Sequence, residues 1–188
     1  DIFNIDLTEA YLGAVKSVVI NKVQYKSEII PCPNYFCAGL LVMNLEKIRN
    51  DGKDRELNDY MNCGYTFRNN DNDILNVVFD EDVVYLPPKY CFIPHRKRDL
   101  LQSPAWHKAF GKDECLDAVK NPAIIHYANK YKPWLTKKMA YKKEWMNYYK
   151  KSIFKDVPLS YKYAEADSPR KRAWRSLKRR IKSLLRGC

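Results

Sequence analysis

The sequence predicts an α/β chain, because short apolar runs with strand character alternate along it with segments of helical periodicity. The strongest strand signal is Tyr35-Phe-Cys-Ala-Gly-Leu-Leu-Val-Met-Asn-Leu45, nearly all apolar, as a strand covered on both faces is. The clearest helical stripe is Ile74, Leu75, Val78 and Phe79. At 188 residues the length fits one domain or a domain with an appendage. A hydrophobic share of 46% is ordinary for a chain that buries a core. No run of eighteen uncharged apolar residues exists, so no helix is expected to span a membrane, and no stretch reads as a secretory signal.

Taken in order, residues 1–7 open abruptly, and Tyr11 to Ile20 contains a strand built from Leu12, Ala14, Val15, Val18, Val19 and Ile20. Residues 22–33 are polar and proline-punctuated, which predicts a loop with a short helical turn. Within the apolar run, Gly39 after the small Ala38 lets another group approach the backbone closely. Residues 44–62 read as helix, with Leu45, Ile48, Leu57, Tyr60 and Met61 on one side. Asp71 suits an N-cap, and Asp71 and Asn72 at this loop-to-helix junction can converge on a ligand, whereas Asp73 reads as a solvated acid. Val83 to Leu86 is a short strand stopped by Pro87 and Pro88, and residues 89–110 read as loop with His95 and His107 on the surface.

Pro122 to Ile125 reads as a buried strand that delivers His126 at its end. Asn129 tolerates the left-handed backbone of a tight turn, which would return Lys130 and Lys132 beside the imidazole. Pro133 and Trp134 then open a helix reaching Phe154, with Leu135, Met139, Trp145, Met146, Tyr149 and Ile153 facing a core. An imidazole and an ammonium on one small loop suit a metal-bound diphosphate. The same residues also read as a strand, turn and helix with a surface histidine and solvated lysines.

The charge is concentrated. Of a formal net charge of +12, nine positive charges lie in residues 170–186, leaving +3 for the rest. There Arg170, Lys171, Arg172, Arg175, Lys178, Arg179, Arg180 and Lys182 surround Trp174, Leu177, Ile181, Leu184 and Leu185 at helical spacing, after a capping Ser168 and Pro169. Such a helix suits an anionic membrane surface, where each basic residue contributes about 1 kcal/mol. Nucleic acid would use the same charge, but the leucine-ended apolar stripe favours lipid. Cys32, Cys37, Cys63, Cys91, Cys115 and Cys188 show no paired zinc spacing and read as reduced, packed thiols. A Cys32–Cys37 disulfide is the alternative.

Three stretches together resemble glycosyltransferase family 8, which includes retaining, metal-dependent bacterial lipopolysaccharide galactosyl- and glucosyltransferases. Residues 35–45 are similar to its Phe-Asn-Ala/Ser-Gly strand, and Asp71-Asn-Asp-Ile-Leu-Asn76 to its Asp-Gln-Asp-x-Leu-Asn. His126-Tyr-Ala-Asn-Lys-Tyr-Lys-Pro-Trp134 is similar to its His-Phe-x-Gly-x-x-Lys-Pro-Trp. The resemblance covers residues 1–155, leaving 156–188 as a linker and the basic helix. It implies an open, mostly parallel α/β sheet of the glycosyltransferase A type. It implies His126 as a ligand to Mn²⁺ or Mg²⁺, and Lys132 and Asn129 at the diphosphate. Cys37, Ala38 and Gly39 would line the donor pocket. Asp71 would hold donor hydroxyls, with Asn72 near the anomeric carbon. The implied donor is a UDP-hexose, and the implied acceptor a glycan or lipid-linked saccharide at the cytoplasmic face of the cell membrane.

Cys37 stands where the family has Asn, Asn72 where it has Gln, and Asn129 where it has Gly. The family's metal-binding Asp-x-Asp belongs upstream of Asp1, and Asp71-Asn-Asp73 is part of another motif. The expectation is therefore a carboxyl-terminal portion with its first βα units missing, an open sheet edge prone to self-association, and little activity alone. A non-catalytic basic module that binds membrane or nucleic acid is the competing expectation.

Overall fold

The computed structural model describes residues 2–64, 67–79, 82–128 and 130–165. Two compact units divide the chain, Asp1–His126 and Tyr127–Cys188. Asn129 and the whole basic segment 166–188 lie outside the described residues. Among those described, no helix is long and apolar enough to cross a membrane.

The first unit is built on a three-stranded sheet with β1 (Leu12–Lys16) in the centre. Leu12, Gly13, Ala14 and Val15 are all buried, which is what a central strand of small and β-branched residues achieves. The strand β4 (Phe36–Met43) pairs with it antiparallel, and β5 (Val83–Tyr85) parallel, so the α/β architecture carries a mixed sheet. The run at 36–43 is not covered on both faces. It is an edge strand in which Phe36 alone is fully buried.

Between them, β2 (Lys22–Tyr25) and β3 (Glu28–Pro31) form an antiparallel hairpin where the sequence reads as loop. Its period-two signal is only four residues long on each arm and is diluted by Lys22, Gln24 and Glu28. Buried Val23, paired with Ile30, is what holds it down. Residues 44–62 do form helix, but as α1 (Leu45–Asn50) and α2 (Lys53–Asn62), broken at Gly52 with φ of 73°. Next comes α3 (Asp71–Val78), which with Leu12, Ala14, Phe36, Ile48 and Phe79 forms a hydrophobic core.

The segment expected as loop holds helices α4 (Lys97–Gln102) and α5 (Pro104–Phe110), followed by α6 (Lys112–Lys120). Breaks at Ser103-Pro104 and Gly111 leave each helix too short to display a full amphipathic period. Residues 122–125 contribute no strand, only a single parallel bridge between Ile125 and Phe92. In the second unit β6 (Thr136–Lys138) pairs parallel with β7 (Tyr163–Glu165), and α7 (Lys142–Tyr149) is the only part of 134–154 that is α-helical. Tyr141, with φ of 59°, stops the helix from extending backwards, and Ile153 is 89% exposed rather than core.

The helix α3 is fixed to β4 by hydrogen bonds as well as by apolar packing. Asn76, fully buried, accepts from Phe36 N at 2.7 Å and donates through Nδ2 to Phe36 O at 2.9 Å. These are the two bonds a residue of an adjoining strand would form. The same Nδ2 donates to Asn72 O at 2.8 Å. Replacing Asn76 by Ala orphans both Phe36 groups, and each buried unsatisfied group costs about 1–3 kcal/mol. We expect Asn76→Ala to lower unfolding free energy by about 2–4 kcal/mol in urea titration, and the exposed Asn62→Ala by less than about 0.5 kcal/mol.

Candidate functional site

The site begins with an irregularity in β4. Ala14 lies opposite Leu41 but the next residue, Val15, lies opposite Cys37, so Ala38, Gly39 and Leu40 have no counterpart in β1. A bulge of this size bends the strand and frees its backbone groups for other partners. Asn72, in the first turn of α3, takes one of them. Its Oδ1 accepts from Ala38 N at 2.6 Å.

The open space at the bulge is filled by a histidine. A Cβ on Gly39 would stand 2.5 Å from His126 Cε1 and 2.6 Å from Nδ1, so the imidazole lies directly on the glycine backbone. The ring is delivered by the isolated bridge: Phe92 N donates to Ile124 O at 3.0 Å and His126 N donates to Phe92 O at 2.8 Å. Phe92 is itself completely buried, which fixes the backbone of His126 to the core.

Beside this contact the residues that precede Ala38 and Phe92 also meet. Cys91 Sγ donates to Cys37 Sγ at 3.5 Å. That bond, helped by the Gly39 backbone amide, holds the Cys37 thiol well below the usual range against the opposing effect of burial. Cys91 is pushed up, first by its hydrogen bond to Cys37 and then by burial. Asp71, exposed at the start of α3, adds negative potential at Cys37 and opposes its ionisation.

Asp73 corrects the sequence expectation. It is 1% exposed, not solvated. It accepts from Tyr35 Oη at 2.7 Å, from Asn69 N at 2.9 Å and from Asn69 Nδ2 at 2.9 Å. Burial, followed by the bond to Asp73, pushes the Tyr35 phenol up. The N-cap position of α3 belongs to Asn70, with no side-chain cap, and Asp73 instead reaches back to Asn69 N. Asp71 is thus the first helical residue rather than its cap. With its carboxylate committed, Asp73 is structural and leaves Asp71-Asn-Asp73 unsuited to serve as a paired metal site.

Ala38, Gly39, Asn72 and His126 are therefore brought together, with Cys37 and Asp71 adjacent to them. Lys132 lies in the second unit, where its ammonium donates to Tyr127 O. His107, read as a surface residue, is half-buried and bonded to Leu100 O at 2.9 Å. The five described cysteines are free, so Cys32 and Cys37 are not joined. Among the described residues no group of three or more His, Cys, Asp or Glu is placed to hold a metal ion. His126 can supply one nitrogen donor to a divalent cation. Asn76 and Cys91 were not singled out by sequence. The signal for Asn76 was its spacing of four from Asn72, which puts two amides on one helical face beside an apolar stripe.

Substituting Gly39 tests the seating of the imidazole. Gly39→Ala forces the ring away, and overpacking of this kind costs about 1–3 kcal/mol. We expect displaced His126 ring resonances in ¹H–¹³C NMR spectra. Unchanged resonances would show that the ring does not lie on Gly39.

The profile of Glycosyl transferase family 8 matches residues 1–138. A Haemophilus influenzae protein named "Putative glycosyltransferase" is 30% identical over 139 residues, which is 71% of this chain and 39% of that protein. Among solved structures, the bifunctional glycosyltransferase WbbM superposes on 78% of this chain and 29% of its own, with TM-score 0.62 and 21% identity. An active-site mutant of LgtC overlaps 71% of this chain and 49% of its own, with TM-score 0.48 and 22% identity. The WbbM likeness establishes an α/β fold of the glycosyltransferase type, and the chain spans less than half the length of each of these proteins.

Proposed function

Because the chain belongs to glycosyl transferase family 8, we propose that it forms part of a retaining hexosyltransferase, moving glucose or galactose from a UDP-sugar to a saccharide acceptor. The supporting observation is the meeting of three separate motifs at one bulge: Gly39 under His126, and Asn72 bonded to Ala38. In this reading the bulge is the floor of the donor pocket, with Cys37, Ala38 and Gly39 beneath the sugar and Asp71 accepting from its hydroxyls. Asn72 Oδ1 is engaged by Ala38 N, which leaves Nδ2 as the end that can face a donor oxygen. Asn72 then orients and stabilises by donating a hydrogen bond, and does not attack the anomeric carbon.

A divalent cation such as Mn²⁺ or Mg²⁺, when bound, neutralises charge on a leaving nucleoside diphosphate. His126 would hold it from this chain, and Lys132 and Asn129 would contact the diphosphate. Among the described residues no group of three or more His, Cys, Asp or Glu is placed to complete such a site with His126, so little turnover is expected of this chain by itself. In the whole protein, His126→Ala is expected to reduce manganese-dependent UDP-hexose turnover by more than about 100-fold, the upper range already seen for groups that only orient a ligand. Unchanged manganese dependence in that variant would remove His126 from the site.

We assign the basic segment to an anionic membrane surface, with a lipid-linked saccharide of lipopolysaccharide or another surface glycan as acceptor, on the cytoplasmic face. Its support is the apolar stripe Trp174, Leu177, Ile181, Leu184 and Leu185 among nine basic residues. Deleting residues 168–188 should abolish co-sedimentation with phosphatidylglycerol vesicles. Retained vesicle binding, or a shift to RNA binding in the intact chain, would count against this assignment.

A further inference from the structure

Cys37 and Cys91 form a thiol pair whose joint sulfur chemistry the proposed transfer reaction does not draw on, although Cys37 itself would line the donor pocket. Their sulfurs are 3.5 Å apart, and neither is in a disulfide. Cys91 is 5% exposed while Cys37 is half-buried at the edge strand, so the Cys37 side of the pair is the more open one. Of the other described cysteines, Cys63 is exposed and bonds to Tyr60 O, and Cys115 is buried with its thiol directed to Trp106 O. Cys32 is buried in a separate hydrophobic cluster with Val23, Tyr35 and Phe67.

The geometry points to a reversible oxidative modification site, in which a small hydroperoxide joins Cys37 to Cys91 as a disulfide. Closing to the usual bond length of about 2.05 Å requires the sulfurs to approach by about 1.5 Å. The bulge at 38–40 lies directly after Cys37, where β4 is unpaired with β1 and can yield. The order of events follows from the pair itself. Cys37 accepts the hydrogen bond and carries the thiolate character, so its sulfur attacks the peroxide oxygen. The O–O bond breaks, Cys37 becomes a sulfenic acid, and the departing alkoxide or hydroxide is protonated. Cys91 sulfur then attacks the sulfenic sulfur, and its proton leaves with the hydroxyl as water. Two thiols lose two electrons in total, and the hydroperoxide is reduced to an alcohol and water, or to two waters from hydrogen peroxide.

The link would tie the residue before Ala38 to the residue before Phe92, whose carbonyl holds His126. Both walls of the bulge are then joined covalently beside Gly39. The effect on donor binding rests on the proposed function, while the cross-link does not.

The test uses the folded chain, with Cys63→Ser and Cys188→Ser to remove two competing thiols. It is treated with excess hydrogen peroxide, alkylated in denaturant with N-ethylmaleimide, and digested without reduction. The expected result is a Cys37–Cys91 peptide pair that disappears with dithiothreitol, together with the loss of two alkylatable thiols per chain. In a Cys91→Ser variant Cys37 should instead be trapped by dimedone as sulfenic acid, and in Cys37→Ser no adduct should form at Cys91. Full alkylation of both cysteines after peroxide, or pairing of either with Cys32 or Cys115, would overturn the inference. Formation of the link with unchanged UDP-hexose turnover by the whole protein would uphold the site and remove only its effect on the donor.

Discussion

Three residues of β4 that find no partner in β1 govern the arrangement of the first unit. A strand edge with unpaired backbone groups is costly when buried. Here each such group that α3 meets is satisfied by an amide side chain: Asn76 at Phe36 and Asn72 at Ala38. The helix therefore acts as a substitute strand. Its position relative to β4 is set by directional hydrogen bonds as well as by apolar packing.

This constraint also explains how separate segments converge. The bulge exposes Gly39 to a side chain from outside the sheet, and the Phe92 bridge supplies that side chain as His126. Asp73 does similar work one turn from Asn76, tying Tyr35 and Asn69 to the start of α3. The two acids of the motif thus part ways, with Asp71 exposed at the surface and Asp73 withdrawn into the core.

The sequence made the central strand, the α3 helix and the bulged run legible because each carries a strong apolar pattern. Family-like motifs also drew attention to Gly39, Asn72 and His126, and the fold brings their three segments together at the bulge. The sequence concealed the hairpin at residues 22–31, whose arms are too short for a period to emerge above their polar residues. It also concealed the burial of Asp73, because an acid paired through Tyr35, 38 positions earlier, looks the same in sequence as a solvated one. The Cys37–Cys91 approach, across 54 positions, leaves no local trace either. Contacts made by the fold alone are the ones that pattern reading misses.

Asn76 recognises peptide groups, not side chains, and this has an evolutionary consequence. The bond pair it makes with Phe36 is indifferent to which residues occupy positions 37 and 38. Those positions can change without loosening the helix that carries Asp71 and Asn72. Gln would overreach the same peptide and Asp would lack the donor, so the anchor itself has few substitutes. A joint blind to its neighbours lets the residues around the bulge change one at a time.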